Sequence, residues 1–450
     1  MTVLLAPGLE SHASAYSSRT IHSFCRQGGS TCTDGVGPRG RLLEDASGNL
    51  YGVTAGGGTG LGGGTIFELI PARHGAWKHK ILHSFCPGDN CLDGEDPESG
   101  LIADIAGNFY GTTSSGGKYG QGVAYKLAPN ATRTHWRLSV LHDFCPGGDP
   151  HCPDGAFIAA ALTYDGAASG ALYDGTSTLY GAAAFGGTFG RGTAFRLQPV
   201  SGKKTWSLKT IYSFCAQSNC ADGASPTSGL LVDASGNLLG ATPSGQGSGN
   251  DGVVFKLVPN AKKTKWSETV LHSFCSVGNC LDGAFPSSGV VMDASGNLFG
   301  VTSAGGSGAA LCDDSLGCGV AYKLAFDGAA WQETVLYNFC ALDDCADGYG
   351  PGGDLLVDPS GNLLGTTANG GGNDAEGTGI GGGTVFELDA AHGDAHVILH
   401  SFCAEPDCAD GAQPLGGVIM DGAGNVFGVT AVGGASGLEG PGGAVFELTP

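Results

Sequence analysis

The sequence predicts an all-β protein, a seven-bladed β-propeller of four-stranded blades in which an N-terminal strand completes the last blade. Three observations lead to this prediction: seven tandem repeats, four β-rich blocks in each repeat, and two chain ends that each hold part of one repeat. A Phe-Cys dipeptide marks the repeats and recurs at intervals of about 60 to 70 residues. The phenylalanines of this dipeptide are Phe24, Phe85, Phe144, Phe214, Phe274, Phe339 and Phe402.

The repeat that spans residues 222–275 shows the four blocks most clearly. Block a (229–233) and block b (238–242) flank a Ser-Gly-Asn turn, a glycine-rich loop leads to block c (253–257), and a basic turn leads to block d (266–274). Runs of β-forming residues separated by such turns predict a four-stranded meander. Because one meander of this size cannot bury both of its faces, the units must stack, either in a closed propeller or in a linear solenoid.

The chain ends favour the propeller. Block c of the last repeat, 444–448, has no block d after it, whereas residues 16–24 form a block d with no repeat before it. Pairing of these two segments closes the ring and removes the open edges that a solenoid has to cap with atypical terminal repeats. The predicted blades of this single domain are 39–86, 97–145, 156–215, 226–275, 286–340, 351–403, and 414–450 together with 16–25.

Two loops of each blade are expected on the same face of the ring. By analogy with other propellers, block a lines the central channel and block d lies outermost. The d-to-a loops, which carry cysteine pairs, and the glycine-rich b-to-c loops then share one face, which we call the top face.

The cysteines indicate an oxidising compartment. A zinc site needs four converging ligands, and a close pair offers only two within one repeat. We therefore predict eight disulfides and an extracellular or periplasmic protein. The 16 cysteines form the close pairs Cys25/Cys32, Cys86/Cys91, Cys145/Cys152, Cys215/Cys220, Cys275/Cys280, Cys312/Cys318, Cys340/Cys345 and Cys403/Cys408.

Charge and hydropathy exclude two classes of partner. The formal net charge is −21, with only 21 lysines and arginines, so the phosphate backbone of a nucleic acid would be repelled. No apolar run approaches the roughly 20 residues that a membrane-spanning helix requires. We therefore expect neither nucleic-acid binding nor membrane insertion.

The order of motifs within each repeat resembles that of a known family. LHSFC, a second cysteine, DG, proline, GLLVD-SGNLYGTT, GG and G-VF-L recur in this order in seven copies over nearly the whole chain. This pattern resembles the GloVer tandem repeat of bacterial secreted and surface proteins. The resemblance implies a propeller-like repeat and extracellular display, and it implies no particular activity.

Residues that recur from blade to blade are interpreted as structural. The aspartates of the Asp-Gly dipeptides are expected to form turns, with a calcium site as the alternative, so no cofactor is expected unless it is calcium. The histidines of five LHSF blocks and the tryptophans that begin block d in five blades are expected to pack or hydrogen-bond within the outer strand, with metal binding and sugar stacking as their respective alternatives. The Asp-Gly aspartates are Asp34, Asp93, Asp154, Asp222, Asp282, Asp347 and Asp410.

A ligand site is expected where the repeat is broken. At the first position of block a, most blades have glycine or alanine, but blade one has Arg41 and blade six has Asp354. The alternative for this pair is a plain salt bridge across blade seven. Further departures from the repeat are expected to contribute to a carbohydrate-binding top face. They are Glu95, Glu98, Phe157, Phe285 and Tyr349.

Two insertions are also expected at the top face, at 309–318 in blade five and 371–383 in blade six, where they would form a lip beside the channel mouth.

These features lead to three functional hypotheses. The first is an extracellular binding or adhesion module for a glycan or another extracellular ligand, held on the top face. The second is a polysaccharide lyase or glycoside hydrolase at the channel mouth, since two carboxylates can converge from distant blades without a local motif. The third is a structural subunit of a surface layer or filament.

Overall fold

The chain forms seven antiparallel sheets in the part that the structure describes. This computed structural model describes residues 16–26, 32–148, 151–203, 205–245, 251–307, 312, 317–373, 381–436 and 442–450. Within these residues, no helix is long and apolar enough to cross a bilayer.

The strands follow one another around the ring, and each sheet is one blade. The first strand, β1 (Ser17–Ser23), belongs to the last blade. Blade one contains β2 (Val36–Glu44), β3 (Leu50–Gly56), β4 (Thr65–Pro71) and β5 (Trp77–Ser84). Blade two contains β6 (Ile102–Ala103), β7 (Phe109–Thr112), β8 (Val123–Pro129) and β9 (Trp136–Asp143). Blade three contains β10 (Thr163–Tyr164), β11 (Leu179–Ala183), β12 (Thr193–Pro199) and β13 (Trp206–Ser213).

The remaining four blades repeat this order. Blade four contains β14 (Leu231–Val232), β15 (Leu238–Thr242), β16 (Val253–Pro259) and β17 (Trp266–Ser273). Blade five contains β18 (Ala284–Pro286), β19 (Val291–Met292), β20 (Leu298–Ala304), β21 (Val320–Phe326) and β22 (Trp331–Asn338). Blade six contains β23 (Tyr349–Pro351), β24 (Leu356–Val357), β25 (Leu363–Asn369), β26 (Thr384–Asp389) and β27 (Ala395–Ser401). Blade seven contains β28 (Ile419–Met420), β29 (Val426–Thr430) and β30 (Ala444–Thr449), with β1 as its fourth strand.

Short 3-10 helices connect some of these strands, mainly in the disulfide loops. In the described residues they are Arg73–Gly75, Pro146–Gly148, Ala167–Ser169, Ser218–Cys220, Gly278–Cys280, Asp343–Cys345, Ala390–His392, Pro406–Cys408 and Gly434–Ser436.

The predicted closure of the ring is confirmed. β1 pairs antiparallel with β30, from Ser17 opposite Thr449 to Ser23 opposite Ala444, and the sheet order is β1-β30-β29-β28. An ion pair between Arg19 and Glu447 adds a side-chain contact to this joint. The two ends of the chain thus form one sheet, as a propeller requires and a linear solenoid does not.

Outside blade one, the innermost strand is short, and in blade four it is shorter than the sequence predicts. Block a of blade four was expected at 229–233, but β14 contains only Leu231–Val232. In blades five and six, the inner edge is divided into two short segments that both pair with block b. The repeat's proline has no backbone N–H to donate to the ladder and packs against the preceding blade, as Pro226 does against Gly192.

The hydrophobic core lies between the blades. The phenylalanine of each Phe-Cys dipeptide is buried and meets, edge to face, the aromatic ring of block c in the next blade. Block b leaves room for that ring, since a Cβ added at Gly240 would lie 2.8 Å from the ring of Phe255. The seven ring pairs, with centroids 4.9 to 5.2 Å apart, are Phe24–Phe67, Phe85–Tyr125, Phe144–Phe195, Phe214–Phe255, Phe274–Tyr322, Phe339–Phe386 and Phe402–Phe446.

The eight predicted disulfides are all present, and no cysteine is free. Seven of them close a d-to-a loop, and the eighth joins Cys312 to Cys318 in the insertion of blade five. The seven loop disulfides are Cys25–Cys32, Cys86–Cys91, Cys145–Cys152, Cys215–Cys220, Cys275–Cys280, Cys340–Cys345 and Cys403–Cys408.

The second cysteine of the loop disulfides is not in the same local structure in every blade, which the regular repeat did not predict. In four loops it ends a short 3-10 helix, at Cys220, Cys280, Cys345 and Cys408. Cys32 and Cys91, together with Cys152, lie instead in irregular backbone, outside the helices and strands of the described residues. Spacing alone does not decide this difference, because Cys86 and Cys91 are five residues apart, as are the pairs that end in a helix.

The backbone carbonyls of Cys32 and Cys91 join the two loops of the top face. The carbonyl of Cys91 accepts a hydrogen bond from the N–H of Gly117, at 2.8 Å, in the b-to-c loop of blade two. The carbonyl of Cys32 accepts the equivalent bond from Gly58 of blade one, also at 2.8 Å. The disulfide loop and the glycine-rich loop of these blades therefore lie on one face, as predicted.

Alkylation of the native protein before reduction is expected to label no thiol, because every cysteine is in a disulfide. The reduced and denatured protein should take up label at all 16 cysteines. Mass analysis of both samples checks this expectation. Labelling of more than one or two cysteines in the native sample would contradict it, and would contradict the oxidising compartment as well.

Candidate functional site

The central channel is lined by two stacked rings of residues from the inner edges of the blades. The upper ring, nearer the top face, consists of the residue that follows the repeat's proline, or Ile158 in blade three. The lower ring consists of the first residue of block a. The cavity has a volume of about 680 Å³. Its upper ring is Arg39, Glu98, Ala159, Thr227, Ser287, Gly352 and Leu415. Its lower ring is lined by Arg41, Gly100, Ala161, Gly229, Asp354 and Gly417, and Gly289 completes it between Gly229 and Asp354.

Packing explains why most of the lower ring is glycine. A Cβ added at Gly100 would lie 2.9 Å from the carbonyl oxygen of Arg41, and one at Gly417 would lie 2.6 Å from the carbonyl oxygen of Asp354. The backbones of adjacent blades therefore touch at this level. Arg41 and Asp354 are the two charged residues of this ring and flank Gly417.

Asp354 does not form the salt bridge with Arg41 that was the alternative interpretation. Its Oδ1 instead accepts a hydrogen bond from the backbone N–H of Gly289, at 2.7 Å, in the opposite neighbouring blade. The described residues place no carboxylate within ion-pair distance of Arg41. Burial lowers the pKa of the Arg41 guanidinium, and the negative charge of Asp354 acts in the opposite direction.

Arg39 and Glu98 occupy the upper ring in adjacent blades. The Nε of Arg39 is buried and has no hydrogen-bond partner among the described residues. Burial raises the pKa of the Glu98 carboxyl, the charge of Arg39 lowers it, and the charge of Asp96 raises it. A partly desolvated carboxyl therefore stands beside a guanidinium with an unused donor.

The other expected site residues lie outside the channel lining. Glu95 forms a backbone bridge with Ser115, and its pKa is raised first by burial and then by Asp96. Phe157 and Phe285 occupy the repeat position of Asp96, whereas Tyr349 occupies that of Glu95, so these aromatic residues are not at one matching position. The structure thus brings Arg41, Glu98 and Asp354 to the channel and leaves the other four on the top face.

The disulfide cysteines are separate from the central channel, since none of them lines it among the described residues. Cys32 and Cys91 are examples. Their disulfides close d-to-a loops, and their carbonyls accept hydrogen bonds from b-to-c loops of the top face. The Sγ atoms of one group, Cys312, Cys318, Cys340 and Cys345, do lie within 4.8 Å of one another. Both pairs are disulfides, however, and zinc requires thiolates. The cysteines are therefore structural.

The position of Phe157 and Phe285 is a backbone joint between blades. Both residues have a left-handed backbone, with φ of 57° and 55°. The N–H of Phe285 donates to the carbonyl of Asp251 at 2.8 Å, in the loop of the preceding blade. Equivalent bonds run from Ser225 to Arg191 and from Gln413 to Gly382. The backbone hydrogen bond to the preceding blade thus maintains a left-handed conformation that non-glycine residues rarely adopt.

Blade three carries an aromatic patch that was only partly foreseen. Phe185 and Phe189 are 53% and 49% exposed, and the ring of Phe157 lies 5.9 Å from that of Phe185. A neighbouring cavity of about 470 Å³ is lined by Tyr119 and Phe185, among others. Sequence reasoning missed Phe185 and Phe189 because they lie in a glycine-rich loop that every blade has. Alignment with blade two, which has Ser115 in place of Phe185, would have revealed the difference.

Arg39 was also missed, although it occupies the repeat position of Glu98, which was recognised. The insertion of blade six falls largely on 374–380 and that of blade five on 308–311 and 313–316, outside the described residues. The disulfide between Cys312 and Cys318 is present in the latter.

The repeated aspartates have structural partners, as expected. Asp222 accepts hydrogen bonds from the backbone N–H groups of Ala216 and Gln217 and from the hydroxyl of Tyr212, at 2.7 to 3.0 Å. It thus ties the disulfide loop to the outer strand. The histidine version of this contact occurs in blade one, where Nε2 of His83 lies 2.8 Å from Asp93.

Comparisons with known proteins identify a repeat family. The chain is similar in structure to the NanB sialidase of Streptococcus pneumoniae in complex with 2-[(3-chlorobenzyl)ammonio]ethanesulfonate, with 12% identity, a TM-score of 0.40, and 96% of this chain and 70% of that chain covered. A point mutant of the same sialidase gives 12% identity, a TM-score of 0.41, and coverage of 94% and 70%. No curated protein sequence matches the chain. The model of the Gloeobacter/Verrucomicrobia repeat matches residues 12–173 and 157–378, so the chain belongs to this repeat family.

Proposed function

We propose that the protein is an extracellular binding module that holds a glycan at the top of its central channel. The observation that carries this proposal is the open cavity bounded by the upper and lower rings, whose lining includes the charged side chains of Arg39, Arg41, Glu98 and Asp354. The eight disulfides favour an oxidising compartment outside the cytosol.

The cavity suits a sugar in size and in chemistry. Its volume of about 680 Å³ lies within the range of about 300 to 1,000 Å³ that is usual for small-molecule sites. Guanidinium groups of Arg39 and Arg41 donate hydrogen bonds, and the carboxylates of Glu98 and Asp354 accept them. A sugar hydroxyl can accept a hydrogen bond from a guanidinium group and donate one to a carboxylate. Because the ring backbones touch, these groups are held on a rigid frame and binding requires little reorganisation.

Obstruction of the channel tests this proposal. Ala159→Trp places a bulky indole side chain among the residues of the upper ring. We expect this variant to lose binding to the glycans that the wild-type protein binds on a glycan array. Ala131→Trp, in an exposed turn between β8 and β9, is the matched control and should bind like the wild type. Near-ultraviolet circular dichroism confirms that both variants are folded. Binding that survives the Ala159→Trp change, or an array on which the wild type binds no glycan, would contradict the proposal.

A second candidate function is cleavage of a glycan in the same channel. The specific observation is that two carboxyl groups, Glu98 and Asp354, line this channel, and that burial raises the pKa of Glu98, the direction that a general acid requires. Release of reducing ends from a bound polysaccharide, abolished by Glu98→Gln, would establish this function in place of simple binding. Binding without turnover would exclude it for that substrate.

A further inference from the structure

We propose that the channel selects an anionic sugar, whose carboxylate or sulfate group is bound by Arg39 and Arg41. This inference rests on the proposed glycan-binding function and narrows its ligand class. Both arginines lie on β2, two residues apart, and both line the cavity. They therefore present two guanidinium groups, one above the other, on one wall of the channel.

The placement of these arginines is unusual for such an acidic chain. There are 21 basic residues against 42 acidic ones, yet blade one contributes arginine at both levels of the channel. Six blades build the lower ring with glycine, alanine or aspartate, so its packing does not require an arginine at this position. A ligand group of opposite charge accounts for two guanidinium groups at one place.

Neither arginine forms a direct ion pair among the described residues, although the charge of Asp354 acts on Arg41 and Arg39 acts on Glu98. The buried Nε of Arg39 lacks a partner among the described residues, and Asp354 uses Oδ1 to accept from Gly289 rather than to pair with Arg41. The planar guanidinium group binds carboxylate or sulfate oxygens with two parallel hydrogen bonds, so these anions suit the guanidinium groups of Arg39 and Arg41 that line the channel.

Glu98 sets the chemistry of the rest of the ligand. Its carboxylate is close enough to Arg39 for their charges to influence each other, and it repels an anion placed beside it. The same carboxylate accepts hydrogen bonds from sugar hydroxyls. A ligand that offers an anionic group to the arginines and hydroxyls to Glu98 therefore fits better than an inorganic anion.

Calorimetric titration of the whole chain tests this selectivity. The probes are a galacturonic acid trisaccharide, a sulfated galactose trisaccharide, the neutral galactose trisaccharide, and citrate as an anion that is not a sugar. We expect the wild type to bind at least one charged trisaccharide about tenfold or more tightly than the neutral one, and to lose this preference as sodium chloride is raised. The carboxylate and sulfate probes distinguish the two sources of charge.

Variants assign the effect to the two arginines. Arg39→Gln and Arg41→Gln should each weaken binding of the charged sugar about tenfold or more, whereas Arg137→Gln, at an exposed position of β9, should leave it unchanged. Arg41→Lys keeps the charge without the planar donors and should retain part of the affinity, which guards against misfolding of the glutamine variant. Glu98→Gln should tighten binding of the charged sugar several-fold.

Each other outcome overturns a different claim. Equal binding of neutral and charged trisaccharides would overturn the anionic selectivity and leave the glycan-binding function standing. Binding of citrate as tightly as the charged sugars would retain the arginine site and overturn the glycan assignment. Failure to bind any of the four probes, together with an empty glycan array, would overturn both.

Discussion

Removal of residues 1–24 is expected to abolish cooperative folding of the seven-bladed ring, or to lower its melting temperature by about ten degrees or more. The deletion removes β1 and exposes the backbone edge of β30. It also removes Phe24, which is fully buried against Phe67 of blade one, and the ion pair between Arg19 and Glu447. Loss of one buried phenylalanine alone costs about 3–5 kcal/mol, comparable to a large part of the stability of a typical domain.

Peptide complementation provides the control for this deletion. A synthetic peptide of residues 16–24, added to the truncated protein, should restore thermal stability in a concentration-dependent way, because it supplies the missing strand. The same peptide with Phe24→Ala should restore much less. Thermal unfolding followed by circular dichroism measures both. A truncated protein that melts like the parent would show that β1 does not close the ring.

Most of the architecture could be predicted because it is repeated. Seven copies of one pattern reveal the four strands of a blade, and the block d at 16–24 reveals the closure, since an unpaired strand and an unpaired edge occur in the same chain. The buried pair of Phe274 and Tyr322 explains why the repeat needs an aromatic residue at both positions. Repetition thus records the constraints that every blade shares.

The channel was harder to predict because its contacts join different blades. The sequence showed that Asp354 departs from the repeat, but its partner is a backbone N–H of Gly289, which no side-chain pattern reveals. Arg39 was overlooked for a related reason, since its orphan Nε becomes evident only when neighbouring blades are in place. Local sequence patterns identify turns and strands, and the charge balance of a channel depends on the whole ring.

The closing seam between blades seven and one contains two stacked histidines. The rings of His22 on β1 and His79 on β5 have centroids 4.2 Å apart and planes 9° apart. Nε2 of each is buried and has no hydrogen-bond partner in the described residues. Asp34, the Asp-Gly aspartate of this seam, lies 3.9 Å from His22, compared with 2.7 Å between His142 and Asp154. The seam therefore holds two neutral imidazoles in place of one histidine–aspartate pair.

This arrangement makes the ring sensitive to acid. Burial lowers the pKa of His22 to about 3, and the charges of His79 and Arg26 contribute to this shift. Burial also lowers the pKa of His79, although Asp34 acts in the opposite direction. Because the pKa of both histidines is lower in the folded chain than the ordinary value near 6.5, the unfolded chain binds more protons below that pH. The ring therefore loses stability as the pH falls from 6.5 toward 3. For His22, the loss between pH 6.5 and 4.5 is about 2 kcal/mol.

His79→Leu is therefore expected to reduce the acid sensitivity of the ring. Leucine is compatible with this position, because Leu138 and Leu208 occupy it in blades two and three. The variant removes the buried imidazole of His79, and with it the contribution of His79 to the lowered pKa of His22. We expect the free energy of unfolding, measured with denaturant, to fall less between pH 7 and pH 4.5 than in the wild type, by at least about 1 kcal/mol. His135→Leu removes an exposed histidine and should follow the wild-type pH dependence. Parallel pH curves for His79→Leu and the wild type would show that the closing seam does not bind protons on unfolding.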